Sequence, residues 1–204
     1  GTRFWPKSRR DLPKQLLPII GGKTLIRETF ERTCDTIPPD NVWLITNRGL
    51  RKKTIEELPE VPHDQVLAEP YSRSTAPALG LVALHIRRKA GPTIVMASFH
   101  ADAAIADRAK FAHVVAAAIE AARQPDTFVT IGIQPTSPHT GYGYIEVEKA
   151  PAQKSADELA VLKVKRFVEK PDLDRAKLFV KEGTFFWNSG IFFWRIDALL
   201  RAIE

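Results

Sequence analysis

Sulfur is scarce in this chain of 204 residues, which has one cysteine, Cys34, and one methionine. A single thiol cannot close an internal disulfide, so a disulfide-stapled secreted scaffold is excluded. There is also no apolar stretch of the length a signal peptide or membrane span needs, no internal repeat and no low-complexity tract. These absences point to a cytoplasmic protein. What is present is ordinary globular material: 44% hydrophobic and 26% charged residues, enough for one domain with a buried core and too apolar for disorder. Thirty basic residues against 24 acidic ones leave a net charge of +6, which favours anionic ligands without separating nucleic acids, lipids and small phosphates.

Acid is scarcest at the beginning. In "GTRFWPKSRRDLPKQLL" the cations Arg3, Lys7, Arg9, Arg10 and Lys14 are offset by Asp11 alone. Such a cluster is either a solvated basic terminus or a polyanion site. A nucleic-acid face is the weaker version of the second reading, because the cations crowd one turn and no basic and aromatic pattern recurs along strands.

Further on, short β-rich runs alternate with helical ones. "NVWLIT" (41–46), "QVLAE" (65–69), "TIVMASF" (93–99) and "TFVTIGI" (127–133) have the continuous apolar character of strands buried on both faces. "TLIRETFERTC" (24–34), "APALGLVALHIRRK" (76–89) and "DRAKFAHVVAAAIEAAR" (107–123) repeat apolar residues at three- and four-residue steps. Thr24 and Asp107 read as N-caps, and Pro38 and Pro39 as the stop of the first helix. The alternation predicts βαβ units in an α/β fold with a mixed, mainly parallel sheet flanked by helices, which binds ligands at the carboxyl ends of its strands. Beyond residue 140 the pattern changes to two strands, "GYGYIEVE" and "VLKVKRFVEK", joined by a polar stretch and followed by the helix "LDRAKLFVKEG" and the aromatic run "FFWNSGIFFW".

Several stretches carry chemistry. "EPYSRSTAPA" (69–78) sets an acid, an arginine and two hydroxyls where a strand gives way to a helix, suited to a base edge or ribose, or simply to capping by Ser74 or Thr75. "SFHADAAIAD" (98–107) ends a strand at Asp102, a carboxylate suited to Mg²⁺ shared with phosphate oxygens. His100 lies two residues upstream, on the same side of the backbone if the strand persists that far. "TGYGYI" (140–145) offers Gly141 and Gly143 for close backbone approach, or for a hairpin turn. "FVEKPD" (167–172) places Glu169 and Lys170 at a strand end, as ligand groups or as a surface pair. Asn188 is an amide among aromatic residues and needs a partner.

Taken in order, "GTRFWPKSR" with "PKQ" and the stretches at 69–78, 98–107, 140–145 with 167–172, and "WNSGIF" (187–192) resemble the sugar nucleotidyltransferases, most closely the mannose-1-phosphate guanylyltransferases (GDP-mannose pyrophosphorylases). The resemblance spans the chain and implies the nucleotide-diphospho-sugar transferase fold. It further implies transfer of GMP from GTP to mannose 1-phosphate with Mg²⁺ as cofactor. Arg3, Lys14, Asp102 and Lys170 would be the catalytic charges. Gly1, Thr2, Glu69, Arg73, Ser74 and Thr75 would bind nucleotide, Gly143, Glu169, Lys170 and Asn188 the sugar phosphate, and Asp102 the metal. The partners implied are the two small molecules, with neither nucleic acid nor membrane, and a homodimer is among the assemblies allowed.

The family's loop usually reads GGxGTR, of which Gly1, Thr2 and Arg3 stand here. Ser74 replaces its usual asparagine, and Ala103 stands where ADH has histidine. The expected domain therefore runs over 1–204 and is incomplete at both ends, with its first strand and a later metal carboxylate outside the sequence. Two further readings stay open: another base or hexose, and a non-catalytic sugar-nucleotide binder.

Overall fold

The computed structural model describes residues 5–9, 12–71, 74–148 and 159–204. A small antiparallel ribbon, β1 (Pro18–Ile20) and β2 (Lys23–Thr24), leads into α1 (Leu25–Thr33). Its turn needs positive φ at two successive positions, and Gly21 (63°) and Gly22 (82°) supply them. The Thr24 hydroxyl then caps α1, accepting the Arg27 amide at 3.2 Å. Leu25, Ile26 and Phe30 are the apolar face that α1 buries. The helix stops at Thr33, well ahead of Pro38, and Pro39 instead opens a 3₁₀ turn.

The alternation follows as β3 (Leu44–Asn47), α2 (Arg51–Glu57), β4 (Val66–Glu69), α3 (Thr75–Ala90), β5 (Val95–Ser98), α4 (Arg108–Ala121) and β6 (Phe128–Ile133). Then come β7 (Tyr144–Val147), β8 (Val164–Val168), α5 (Leu173–Glu182), β9 (Phe185–Arg195) and α6 (Ile196–Ile203). Asp107 caps α4 by accepting the Lys110 amide at 2.8 Å, as its position in the sequence indicates. α2 and α6 are the helices that the sequence pattern did not single out.

β3 and β4 pair in parallel. β9 is the longest strand and binds β5, β6 and β7, all antiparallel to it, while β8 extends the sheet from β7. β5, β6 and β7 therefore share one direction, β9 runs against all three, and the β7–β8 pairing is antiparallel as well. The register puts β6 along one edge of β9 and both β5 and β7 along the other: Trp194 faces Met96 and Phe128, and Trp187 faces Ile133 and Tyr144.

Successive residues of the strands enter cores on opposite faces. Phe193 and Ile191 pack with Phe111 and Val115 of α4, while Trp194 packs with Val82 and Ala83 of α3 and with Leu199 of α6. In β3, Leu44 joins the α1 side and Ile45 the α3 side. Two-sided burial is why these strands read as unbroken apolar runs instead of alternating ones. Near the end of the sheet Phe179 of α5 stacks on Phe185 with ring centroids 3.8 Å apart. Among the described residues, no helix is long and apolar enough to cross a membrane.

The start of α6 carries an acid-sensitive clamp. Arg195 grips Asp197 through two hydrogen bonds, of 3.1 and 2.6 Å, and Asp197 also accepts the Ala198 amide at 2.9 Å. The arginine contact, followed by that amide, holds the Asp197 carboxyl below its ordinary range against the opposing effect of burial. A carboxyl whose folded pKa is depressed contributes stability above its unfolded pKa and loses it as the pH falls through the folded value. Asp197→Asn should therefore be less stable than the parent at pH 7, and the gap should shrink below about pH 4. Urea melts at several pH values check this.

Candidate active site

Register along β9 builds the site. Continuing the β5 pairing past Ser98 opposite Phe192 brings His100 to Gly190, and continuing the β7 pairing past Tyr144 opposite Trp187 brings Gly143 to Asn188. Both continuations are physical contacts. A Cβ on Gly190 would lie 2.6 Å from His100 Nε2, and the Asn188 amide donates to the Gly143 carbonyl at 2.8 Å. β5 and β7 thus part from the same edge of β9 at Asn188–Gly190, and the loops leaving their ends flank the opening.

On the β5 side, Asp102 lies in the turn after the strand and forms an ion pair with Lys14. Lys14 begins a 3₁₀ turn, Lys14–Leu16, anchored where Leu16 enters the α1 core. The two side chains retain 37% and 30% of their accessibility, so the pair is reachable by a ligand. On the β7 side, a Cβ on Gly143 would lie 3.3 Å from Glu169 Oε2, close enough to crowd the end of that carboxylate, and 3.8 Å from Asn188 Cβ, an ordinary contact distance. Glu169 pairs with Lys170, which follows β8 with φ of 31°. Asn188 Oδ1 accepts the Gly190 amide at 3.0 Å, so its partner is local backbone.

Other expected groups fall elsewhere or outside the view. Glu69 ends β4 and Thr75 begins α3, as the sequence suggests. Ser74 does not cap that helix: it has φ of 81° and its side chain makes no capping hydrogen bond. Gly1, Thr2, Arg3 and Arg73 lie outside the described residues. The suggestion that His100 shares a strand face with Asp102 fails because β5 stops at Ser98; His100 is instead laid against Gly190.

Gly190 is a position that the sequence reading passed over. With φ of 73° it occupies the left-handed region, and its bare Cα accommodates the imidazole. Gly190→Ala should cost about 1–2 kcal/mol from the backbone alone and displace the His100 ring. Adding His100→Ala should relieve the collision and leave the backbone cost, a separation that denaturant melts of the two single variants and the double variant would resolve.

Arg32 was also missed. It is 6% exposed, donates to the Ala103 carbonyl at 3.3 Å and to Thr29 Oγ1 at 3.2 Å, and lies over the Phe111 ring with its Cζ 5.3 Å from the centroid. Burial lowers its pKa. It ties the residue after Asp102 to α1, and so positions the carboxylate's loop. Its signal was its place in the sequence: three after Thr29 and seven after Leu25, it falls on the helix face that turns inward.

The donor set suits one kind of metal site. Among the described residues no three His, Cys, Asp or Glu side chains gather, so an all-protein cage is not built. A lone accessible carboxylate at a strand end does suit a divalent ion that takes its remaining ligands from phosphate and water.

A family model described as nucleotidyl transferase matches residues 1–201. The chain belongs to the nucleotidyl transferase family. Among curated relatives, the xanthan biosynthesis protein XanB of Xanthomonas campestris pv. campestris (strain B100) is 38% identical over 206 residues, covering 100% of this chain and 42% of that protein. Mannose-1-phosphate guanylyltransferase of Salmonella montevideo is 34% identical, covering 100% of this chain and 43% of that protein. The alginate biosynthesis protein AlgA of Pseudomonas fluorescens is 36% identical, covering 100% and 41%. This nucleotidyl transferase chain therefore spans less than half the length of these relatives. Among solved structures, mannose-1-phosphate geranyltransferase from Thermus thermophilus superimposes with a TM-score of 0.83 at 30% identity, covering 97% of this chain and 55% of that one. Mannose-6-phosphate isomerase from Helicobacter pylori gives 0.77 at 30%, covering 94% and 69%.

Proposed function

We propose that this nucleotidyl transferase domain transfers GMP from GTP to mannose 1-phosphate, in the cytoplasm. The observation that carries the reading is the pair of side-chain groups on one edge of β9: Lys14 with Asp102 beyond β5, and Gly143, Glu169 and Asn188 where β7 begins. The first suits a triphosphate, the second a hexose with its hydroxyls. A carboxylate accepts from neighbouring hydroxyls, and the Lys170 ammonium suits the sugar's phosphate.

In the reaction, an oxygen of mannose 1-phosphate forms a bond to the α-phosphorus of GTP as the α–β anhydride breaks. The bonding electrons depart with pyrophosphate. No covalent enzyme intermediate is required, so the protein's task is to align the two phosphates and to stabilise charge. Lys14 leaves its contact with Asp102 to engage phosphate oxygens. Asp102 would hold a magnesium ion, which neutralises phosphate charge when bound. Arg3 adds a second cation to the triphosphate, while Gly1 and Thr2 offer backbone amides. Glu69, Arg73, Ser74 and Thr75, between β4 and α3, read base and ribose. Names of the relatives support mannose 1-phosphate and guanylyl transfer over other pairs.

Pyrophosphate release with GTP, ATP, UTP and dTTP, each offered mannose or glucose 1-phosphate, tests this. The GTP and mannose 1-phosphate pair should give the highest kcat/KM. A higher value for any other pair reassigns the substrate, and GDP-mannose binding without pyrophosphate release from any pair reassigns the protein as a binder.

A further inference from the structure

Glu146 is a buried carboxylate that the proposed reaction does not use. It lies in β7, 7% exposed, on the face where Tyr144 and Phe185 meet α5. Lys165 donates to its Oε1 at 2.6 Å and Arg166 to its Oε2. Successive strand residues ordinarily point to opposite faces, so a regular ladder would not bring both cations to one carboxylate. The pairing of β8 with β7 supplies the reason. Glu146 is opposite Arg166 and Val147 is opposite Val164, which leaves Lys165 as an extra residue in a β-bulge. Past the bulge the ladder resumes: the Glu148 amide donates to the Lys163 carbonyl at 3.0 Å, and the Lys163 ammonium pairs with the Glu148 carboxylate at 2.8 Å.

The bulge shifts the rest of β8 by one residue. With it, Tyr144 faces Val168, and the next pair outward is Gly143 with Glu169, whose Oε2 is the atom nearest to a Cβ placed on that glycine. Without it, counting back from Val147 opposite Val164, Glu146 would face Lys165 and Tyr144 would face Phe167. Glu169 would then lie about 3.3 Å farther along, with its side chain on the opposite face. Burial favours this second arrangement, because Phe167, now 56% exposed, would replace Val168 on the Tyr144 face beside α5. Charge favours the first, because Glu146 meets both cations only there, and a buried carboxylate is costly to leave short of partners. We propose that Glu146 is a positioning residue for the acceptor substrate: its grip on Lys165 and Arg166 holds the bulge, and the bulge's one-residue offset sets Glu169 and Lys170 against Gly143 and Asn188. This rests on the reading of that end of the site as the hexose phosphate's.

Through-space proton contacts in nuclear magnetic resonance spectra read the register directly. Tyr144 should lie against Val168 in the parent, and against Phe167 in Glu146→Gln and in Arg166→Met. The second variant leaves Glu146 one partner, so it keeps the test open if the first does not fold. In both, KM for mannose 1-phosphate should rise about tenfold while KM for GTP holds. Deleting Lys165 from Glu146→Gln removes the extra residue and makes the parental register the regular one. The Val168 contact and the parental KM should then return, a rescue that a merely stabilising carboxylate would not show. A parental register in the folded single variants, or a shifted register with a parental KM for the hexose phosphate, would overturn the proposal. If the parent prefers another hexose phosphate, or binds GDP-mannose without turnover, the function is reassigned and the same change is read on that substrate's KM or on the Kd of GDP-mannose, so the two failures stay apart.

Discussion

Asp102→Ala is expected to lower kcat for pyrophosphate release by about 10²–10³, the range found when one preorganised electrostatic partner of a transition state is removed. The change removes the only carboxylate that Lys14 contacts among the described residues, and with it the proposed metal ligand. Asp102→Asn separates the two roles. An asparagine keeps the size and an acceptor oxygen but loses the charge, so it should bind a divalent ion poorly and remain nearly as slow as alanine. Lys14→Met should impair the enzyme by a similar factor without abolishing metal binding. Because 10²-fold corresponds to about 2.7 kcal/mol of activation free energy, misfolding must be excluded by unchanged melting temperatures. A partly exposed pair of this kind contributes little to stability, so those temperatures should hold. Near-parental activity in Asp102→Ala would remove the electrostatic basis of the proposed function.

Phe193→Ala should be among the most damaging changes to stability, at about 3–5 kcal/mol. Phe193 is wholly buried near the C-terminal end of the long strand and meets Phe99 edge-on, the ring planes 90° apart at 5.9 Å. Strands β5 and β6 hold its backbone from either side, opposite Ala97 and Val129, so the neighbours cannot collapse into the space that truncation leaves. The cost is a lost transfer free energy plus a persistent cavity. A fall in urea midpoint with an unchanged slope would show it, and a penalty below about 1 kcal/mol would mean that the core relaxes around the gap. Phe193→Leu, which keeps most of the volume, should recover much of the loss.

The strands and long helices were legible because a side chain buried on both sides of a sheet leaves an unbroken apolar signature, and because Thr24 and Asp107 sit where caps belong. α2 was not legible: it is seven residues long and buries only Thr54 within its length, so its sequence looks like a polar connection. The direction of β9 was hidden for another reason. Nothing in "FFWNSGIFFW" says whether the run joins the sheet parallel or antiparallel, because pairing is decided by distant partners. At the site, the types of residue were readable and their spatial relations were not. Asp102, Lys14, Glu169 and Asn188 each had a chemical rationale, but the Lys14–Asp102 contact joins segments far apart in the chain. His100 against Gly190 is a packing relation set by a backbone angle, which only coordinates reveal.

The eleven residues of β9 serve as a common ruler. Phe193 measures its position in the core, while Asn188 and Gly190, on the same rigid ribbon, set the gap between the two proposed substrate-binding ends. Inserting or deleting one residue anywhere from 189 to 192 would turn every side chain on one half of the strand to the opposite face. Anion end and sugar end would then be displaced relative to each other at the same moment that the interior lost its aromatic packing. Variation in substrate preference would therefore come through the segment between β4 and α3 and the loops at 100–106, 134–143 and 169–172, which can change length without moving the scale against which both ends are set.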